Sequence, residues 1–168
     1  MKQPKTDTAA TVEEFKLEES VPYQLAVTAS AVNKLFSRNF VDQFDLSIAE
    51  WRVLTVVGRN GGISPTAVAE AAGMDKVKVS RATAALVARG LLRQEQDSRD
   101  GRARVLSLTR KGVKLHNSAV PMTRRLEASI AQCMSKAEWS SLQRSLMRLA
   151  AHVVLLAGGA DIAGGLDG

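Results

Sequence analysis

The sequence is poor in the residues that most often announce a reactive site. Its 168 residues hold one cysteine, two histidines, two tryptophans, one tyrosine and four phenylalanines. A single thiol, Cys133, excludes a disulfide within the chain and suits a reducing compartment, so a cytoplasmic location is expected. With no histidine nearby in sequence and no second thiol to resolve it, Cys133 reads as a small structural residue rather than a redox sensor. His116 and His152 are too scattered for a metal site, so neither metal nor cofactor is expected. Ser-x-x-Lys, His-Glu-x-x-His, a phosphate loop and Gly-x-Ser-x-Gly are all missing. Asp97 and Asp100 are close in sequence, but their arginine neighbours suit a hairpin tip better than a catalytic pair. An enzyme is therefore not expected. The longest apolar run, near Leu149 to Ala160, is interrupted by His152 and two glycines and is too short to span a bilayer. Met1 to Ser20 lacks the apolar segment of a secretory leader, and no membrane partner is expected.

Positive charge is what the chain does have. Its net charge is +6 and its pI about 9.8, which favours a polyanionic partner but also fits an anionic membrane surface. The location of the charge narrows the choice. Ser64 to Gly112 carries ten Lys/Arg against five Asp/Glu, nearly the whole excess in under a third of the length.

That stretch is also the best punctuated. Ser64-Pro65 is a strong helix start, Val68, Ala71 and Ala72 give the short helix an apolar side, and Gly73 ends it. Asp75 caps a longer helix that stops at Gly90, with Val77, Ala84, Ala85, Leu86 and Val87 as its expected buried stripe. Two helices across a tight glycine turn form a helix-turn-helix. Lys76, Lys78, Ser80 and Arg81 crowd the first two turns of the second helix, where a major-groove reader presents donors to base edges. A merely solvated cationic face is the competing reading of those four residues. Leu91 to Gln96 and Arg104 to Leu108 read as two strands joined through Asp97-Ser98-Arg99-Asp100-Gly101. Arg99, Arg102 and Arg104 lie in or beside the tip, and an arginine on a protruding ribbon gains in a narrow, electronegative minor groove.

Around this centre lie longer helices. Val21 to Phe44 reads as one, with Leu25, Val32, Leu35, Phe36 and Phe40 towards one side. Ser47-Ile48-Ala49-Glu50 is a capping box opening a helix to about Arg59, with Trp51, Leu54 and Val57 inward. Asn60-Gly61-Gly62 is a turn, and Thr109 caps a helix from Arg110 to about Met134 that Pro121 should kink. Ser135-Lys136-Ala137-Glu138 is a second capping box. In the helix it opens, Trp139, Leu142, Leu146, Leu149, Val153 and Leu156 recur at spacings of three and four. Such a stripe needs another helix against it, from a second copy or by folding back. Residues 1–19 read as a flexible arm, and 157–168, with five glycines, as a flexible tail.

Residues 20–156 resemble the MarR family of transcriptional regulators, dimeric winged-helix proteins. The resemblance rests on Glu50-Trp51-Arg52-Val53-Leu54, the run Met74 to Arg93, Asp97-Ser98-Arg99-Asp100-Gly101-Arg102 and Leu108-Thr109-Arg110-Lys111-Gly112. It implies a mainly α fold with a small β-hairpin wing: a winged helix-turn-helix at about 47–110, plus N- and C-terminal dimerisation helices at about 21–44 and 110–156. Ile63 would add a short third strand to the wing sheet. The family's base-reading positions fall on Lys76, Lys78, Ser80 and Arg81, its minor-groove arginine on Arg102, and its wing-bracing acid on Asp100. Leu25, Leu142, Leu146, Leu149 and Val153 would serve dimerisation, and Ser64, Thr66 and Arg104 would meet phosphates.

The resulting expectation is a double-stranded-DNA-binding homodimer that reads a pseudo-palindromic operator, mainly as a repressor. The resemblance adds a small aromatic or anionic effector as a further partner. Nothing in the sequence identifies that compound, and with aromatics at 4% a stacking pocket is not obvious, so an effector-insensitive regulator stays open. A non-specific architectural DNA binder and a winged-helix protein–protein module are the competing classes.

Overall fold

The computed structural model describes residues 13–96 and 104–158. After a 3₁₀ turn at Leu17–Glu19 come helices α1 (Val21–Phe44), α2 (Ile48–Asn60), α3 (Pro65–Ala72) and α4 (Lys76–Ala88). Strands β1 (Leu92–Gln96) and β2 (Arg104–Leu108) follow, then helices α5 (Arg110–Ala131) and α6 (Lys136–Leu156).

Local chemistry sets most of these boundaries. Ser47, Ser64, Asp75, Thr109 and Ser135 each accept a backbone N–H from the first turn of the helix they precede, satisfying donors that have no intrahelical partner. Both expected capping boxes form. The Glu50 carboxylate accepts the Ser47 N–H at 2.7 Å, and the Glu138 carboxylate accepts the Ser135 N–H at 2.8 Å. The strands pair antiparallel from Leu92↔Leu108 to Gln96↔Arg104. Ile63 adds the third-strand bridge, exchanging backbone bonds with Leu106 at 3.1 and 2.8 Å.

The core lies where α1, α2, α4, α5 and the hairpin root converge. Phe40, Leu46, Val53, Leu54, Val57, Val68, Val79, Leu86, Leu91 and Leu106 are essentially inaccessible. Trp51 is a core residue, as its place in the α2 pattern suggested. It stacks on Phe40 at 4.9 Å between ring centres and on His116 of α5 at 5.4 Å.

Three sequence expectations need correction. In α4 the inward residues are Val79, Ala82, Thr83 and Leu86, whereas Val77, Ala84 and Val87 face outward. In α3 the buried pair is Val68 and Ala69, and Ala71 is exposed. Helix α5 ends at Ala131, so Cys133 sits in the following turn. Its exposed thiol donates to the Ile130 carbonyl and fills no interior space.

Helix α6 stands apart. None of its residues is buried, and it packs extensively against no other described element of the chain. Leu146, Leu149 and Val153 are each about two-fifths exposed, as is Leu25 on α1, while Leu142 is half-buried.

Candidate nucleic-acid interface

The turn between α3 and α4 is set by two residues. Gly73 takes the left-handed conformation, φ +60°, that closes α3, and nothing crowds its α-carbon, so backbone conformation is what favours glycine there. Met74, 5% exposed, then plugs into the core, and Asp75 caps α4 through the Lys78 N–H at 2.7 Å. The first turn of α4 is thereby held rigidly against α2 and α3.

With 3.6 residues per turn, burial of Val79, Ala82, Thr83 and Leu86 fixes what the opposite side presents. Val77, Ser80, Arg81 and Ala84 are all exposed and recur at spacings of three and four, with Lys76 beside them. Lys78 lies at the flank of this face, 40% exposed, with its ammonium 3.9 Å from Asp75 Oδ2. Of the four residues expected to read bases, Lys76, Ser80 and Arg81 share the open face, and Lys78 borders it. Val77 and Ala84, assigned by sequence reasoning to the interior, lie at the middle of it. Both sets, 79/82/83/86 and 77/80/81/84, recur at helical spacing, and hydropathy does not separate them, because Thr83 is buried and Val77 is not.

The hairpin projects next to α4. Leu91 and Leu92 root it in the core, and Arg93 Nε donates to Ser107 Oγ across the strands at 2.8 Å. Arg104 is exposed at the start of β2, opposite Gln96. Arg99, Asp100 and Arg102 lie outside the described residues. At the start of α3, the half-buried Ser64 hydroxyl is engaged by the Ala67 N–H at 3.2 Å, and Thr66 is exposed.

Two connections tie this region to the long helices, and neither was singled out from sequence. Arg89, at the end of α4, donates to the Phe44 and Asp45 carbonyls that close α1, and its guanidinium lies 3.7 Å from Glu50 and 3.4 Å from Asp45. The carbonyl of Arg89 in turn accepts from Lys111 of α5 at 2.9 Å. Arg89 therefore links the recognition helix to α1, α2 and α5 together. Thr109 forms the other connection, donating its N–H to the Leu91 carbonyl at 3.1 Å and its hydroxyl to the Gly90 carbonyl at 2.7 Å. Between these anchors lies an open groove of about 450 Å³, lined by Arg89, Leu91, Lys111, Lys114, Leu115 and Ser118.

Among the described residues no group of three or more His, Cys, Asp or Glu is placed to hold a metal ion, and no helix is long and apolar enough to cross a membrane.

A short helix, a glycine turn, a second helix with a cationic outer face and an adjoining two-stranded ribbon bridged by Ile63 define a winged helix-turn-helix protein. The MarR family model matches residues 44–103, the span from the end of α1 to the wing. Among curated proteins, the transcriptional regulator HosA of Escherichia coli O157:H7 is 33% identical over 78 residues, 46% of this chain and 58% of that one. The chain thus aligns with little more than half the length of these curated relatives.

Among solved structures, Bordetella bronchiseptica BpsR, whose DNA binding is regulated by 6-hydroxynicotinic acid, superposes with a TM-score of 0.77 at 24% identity. The match covers 82% of this chain and 98% of that one. The PcaV transcriptional regulator of Streptomyces coelicolor, solved with its natural ligand, gives 0.75 at 21% identity, over 83% and 98%. At these identities the likeness shows the fold. The family match is thus to the winged-helix segment, residues 44–103, and the curated relative that aligns over it is a transcriptional regulator.

Proposed function

We propose that the chain is a sequence-specific, double-stranded-DNA-binding transcriptional regulator that works as a cytoplasmic homodimer, mainly as a repressor. The observation that carries this reading is the outer face of α4, where Lys76, Ser80 and Arg81 project together beside the wing on a helix that the core holds rigidly. Arginine and lysine donate to guanine O6 and N7, and serine serves several bases. Arg102 reaches the flanking minor groove, with Asp100 bracing the wing and Arg99 and Arg104 near the backbone. The start of α3, at the half-buried Ser64 and the exposed Thr66, meets phosphate.

Support for pairing comes from α6. A 21-residue helix with a leucine stripe and no buried residue leaves apolar surface that a second copy would cover, together with Leu25 on α1. Paired recognition helices would then fall about one helical turn of DNA apart, roughly 34–36 Å.

A small aromatic or anionic effector is part of the proposal. BpsR and PcaV are ligand-responsive or ligand-bound relatives in fold, and the groove at Lys111, Lys114, Leu91 and Leu115 offers cations around an apolar floor. Such a ligand acts by favouring a dimer whose recognition helices are wrongly spaced.

Capture of promoter fragments by the purified chain, followed by footprinting, tests the proposal. A discrete protected window with two half-sites is expected. Uniform protection would instead indicate an architectural binder, and no capture would overturn DNA binding altogether. If roughly 6–10 phosphates are neutralised, affinity should fall about 10³–10⁵-fold between 50 and 200 mM salt.

A further inference from the structure

The outer face of α4 has an apolar centre. Val77 is 59% exposed in the first turn, and Ala84 stands two turns further along the same line. Lys76 and Ser80 flank this line on one side and Arg81 on the other. Valine gains nothing as a helix former there, since alanine and the long straight-chain residues are better, and it contributes nothing to the core, which Val79 fills instead. An isolated exposed valine is ordinary on a protein surface. This one is set apart by its place in the middle of the face that, under the function proposed above, enters the major groove. Only one base-edge group in that groove is apolar, the 5-methyl of thymine.

We propose that Val77, with Ala84 behind it, reads thymine through its 5-methyl group. The cationic and hydroxyl side chains on either side would take the hydrogen-bonding edges of neighbouring bases. More than half of the Val77 surface is open, 59%, so a thymine methyl has apolar surface to pack on there. Substituting a polar base edge would leave its donor or acceptor facing Val77 unpaired, which adds discrimination beyond the contact itself.

This inference rests on the DNA-reading function, and the test separates the two. A random duplex pool is selected with the full-length protein, and each thymine of the enriched site is then replaced in turn by deoxyuridine, which lacks only the methyl. Wild-type protein is expected to lose roughly fourfold in affinity at one thymine per half-site, the worth of about one buried methyl. Val77→Ala should bind the thymine and deoxyuridine sites with nearly equal affinity. Val77→Ile, which keeps the branched surface, should preserve the discrimination. Circular dichroism identifies any variant that fails to fold, and the wild-type deoxyuridine scan stands without the variants. An enriched site whose every thymine tolerates deoxyuridine in the wild type would overturn the inference while leaving DNA reading intact. Unchanged discrimination in Val77→Ala would do the same. A pool from which nothing is enriched would overturn both.

Discussion

Gly112 is the most closely approached glycine among the described residues, and its replacement makes a sharp prediction. It is the fourth residue of Thr109-x-x-Gly, in the first turn of α5, where that helix presses on the root of the wing. A Cβ added at Gly112 would lie 2.1 Å from the Leu91 carbonyl oxygen, whereas real Cβ atoms essentially never come within 3.0 Å of such a neighbour. The obstacle is backbone, so α5 would have to withdraw by the difference, 0.9 Å or more. Withdrawal breaks the Thr109 N–H bond to Leu91 and the Thr109 hydroxyl bond to Gly90, worth about 1–3 kcal/mol together. Forcing extra volume between Leu91 and Leu108 adds about 1–3 kcal/mol. The intrinsic helix preference for alanine over glycine offsets about 1 kcal/mol. Gly112→Ala should therefore destabilise the fold by about 1–5 kcal/mol, read by urea unfolding at fixed protomer concentration.

Gly58→Ala is the matched control. Its nearest obstruction is the mobile end of the Leu108 side chain at 3.1 Å, and its helical site gains from alanine. It should stay within about 1 kcal/mol of the parent. If Gly112→Ala proved as stable as the parent, the close approach of α5 to the wing root, and the rigid placement of the wing that depends on it, would be refuted.

Other predictions concern the long helices. Leu149→Asp should convert the protein from dimer to monomer by light scattering while leaving the core-derived near-ultraviolet signal intact, since α6 contributes nothing buried to its own chain; an unchanged mass would contradict pairing through α6. Arg89→Ala should cost about 1–3 kcal/mol, mainly by orphaning the carbonyls that close α1 and the shielded Glu50, because the pair with the exposed Asp45 contributes little; an unchanged urea midpoint would deny Arg89 its linking role. The Ser135 hydroxyl, and then the Ser135 N–H, hold the Glu138 carboxyl below its ordinary range. Because the folded value is depressed, the capping box should be complete above the ordinary glutamate range and open as pH falls through the lowered value. Carboxyl NMR titration of Glu138 checks this, and an unshifted titration would show that the box does not close.

What was legible in the sequence was mainly local. Ser47, Ser64, Asp75, Thr109 and Ser135 mark helix starts because a cap and its partner are separated by only two or three residues, so no tertiary information is needed. The hairpin and the third-strand role of Ile63 followed from turn residues and family likeness. The facing of α4 was not legible, because Val77, Val79, Ala82, Ala84, Ala85, Leu86 and Val87 place apolar groups on every side of that helix. Only the neighbours α2 and α3 decide which of them are covered. Nor were the Arg89 bridge and the approach of Gly112 to Leu91, which join residues 44 and 21 positions apart. A motif can mark such a glycine, but the carbonyl that excludes a side chain is visible only in the folded chain.

The central claim is that the outer face of α4 reads sequence rather than merely attracting polyanions. The measurement that tests it most directly is the affinity of wild-type and Arg81→Ala protein for the selected site and for a scrambled duplex at one salt concentration. A base-reading Arg81 should cost about 1–3 kcal/mol on the selected site and much less on the scrambled one, narrowing the ratio between them. Equal losses on both duplexes would contradict it, leaving Arg81 as a phosphate contact and α4 as a cationic surface.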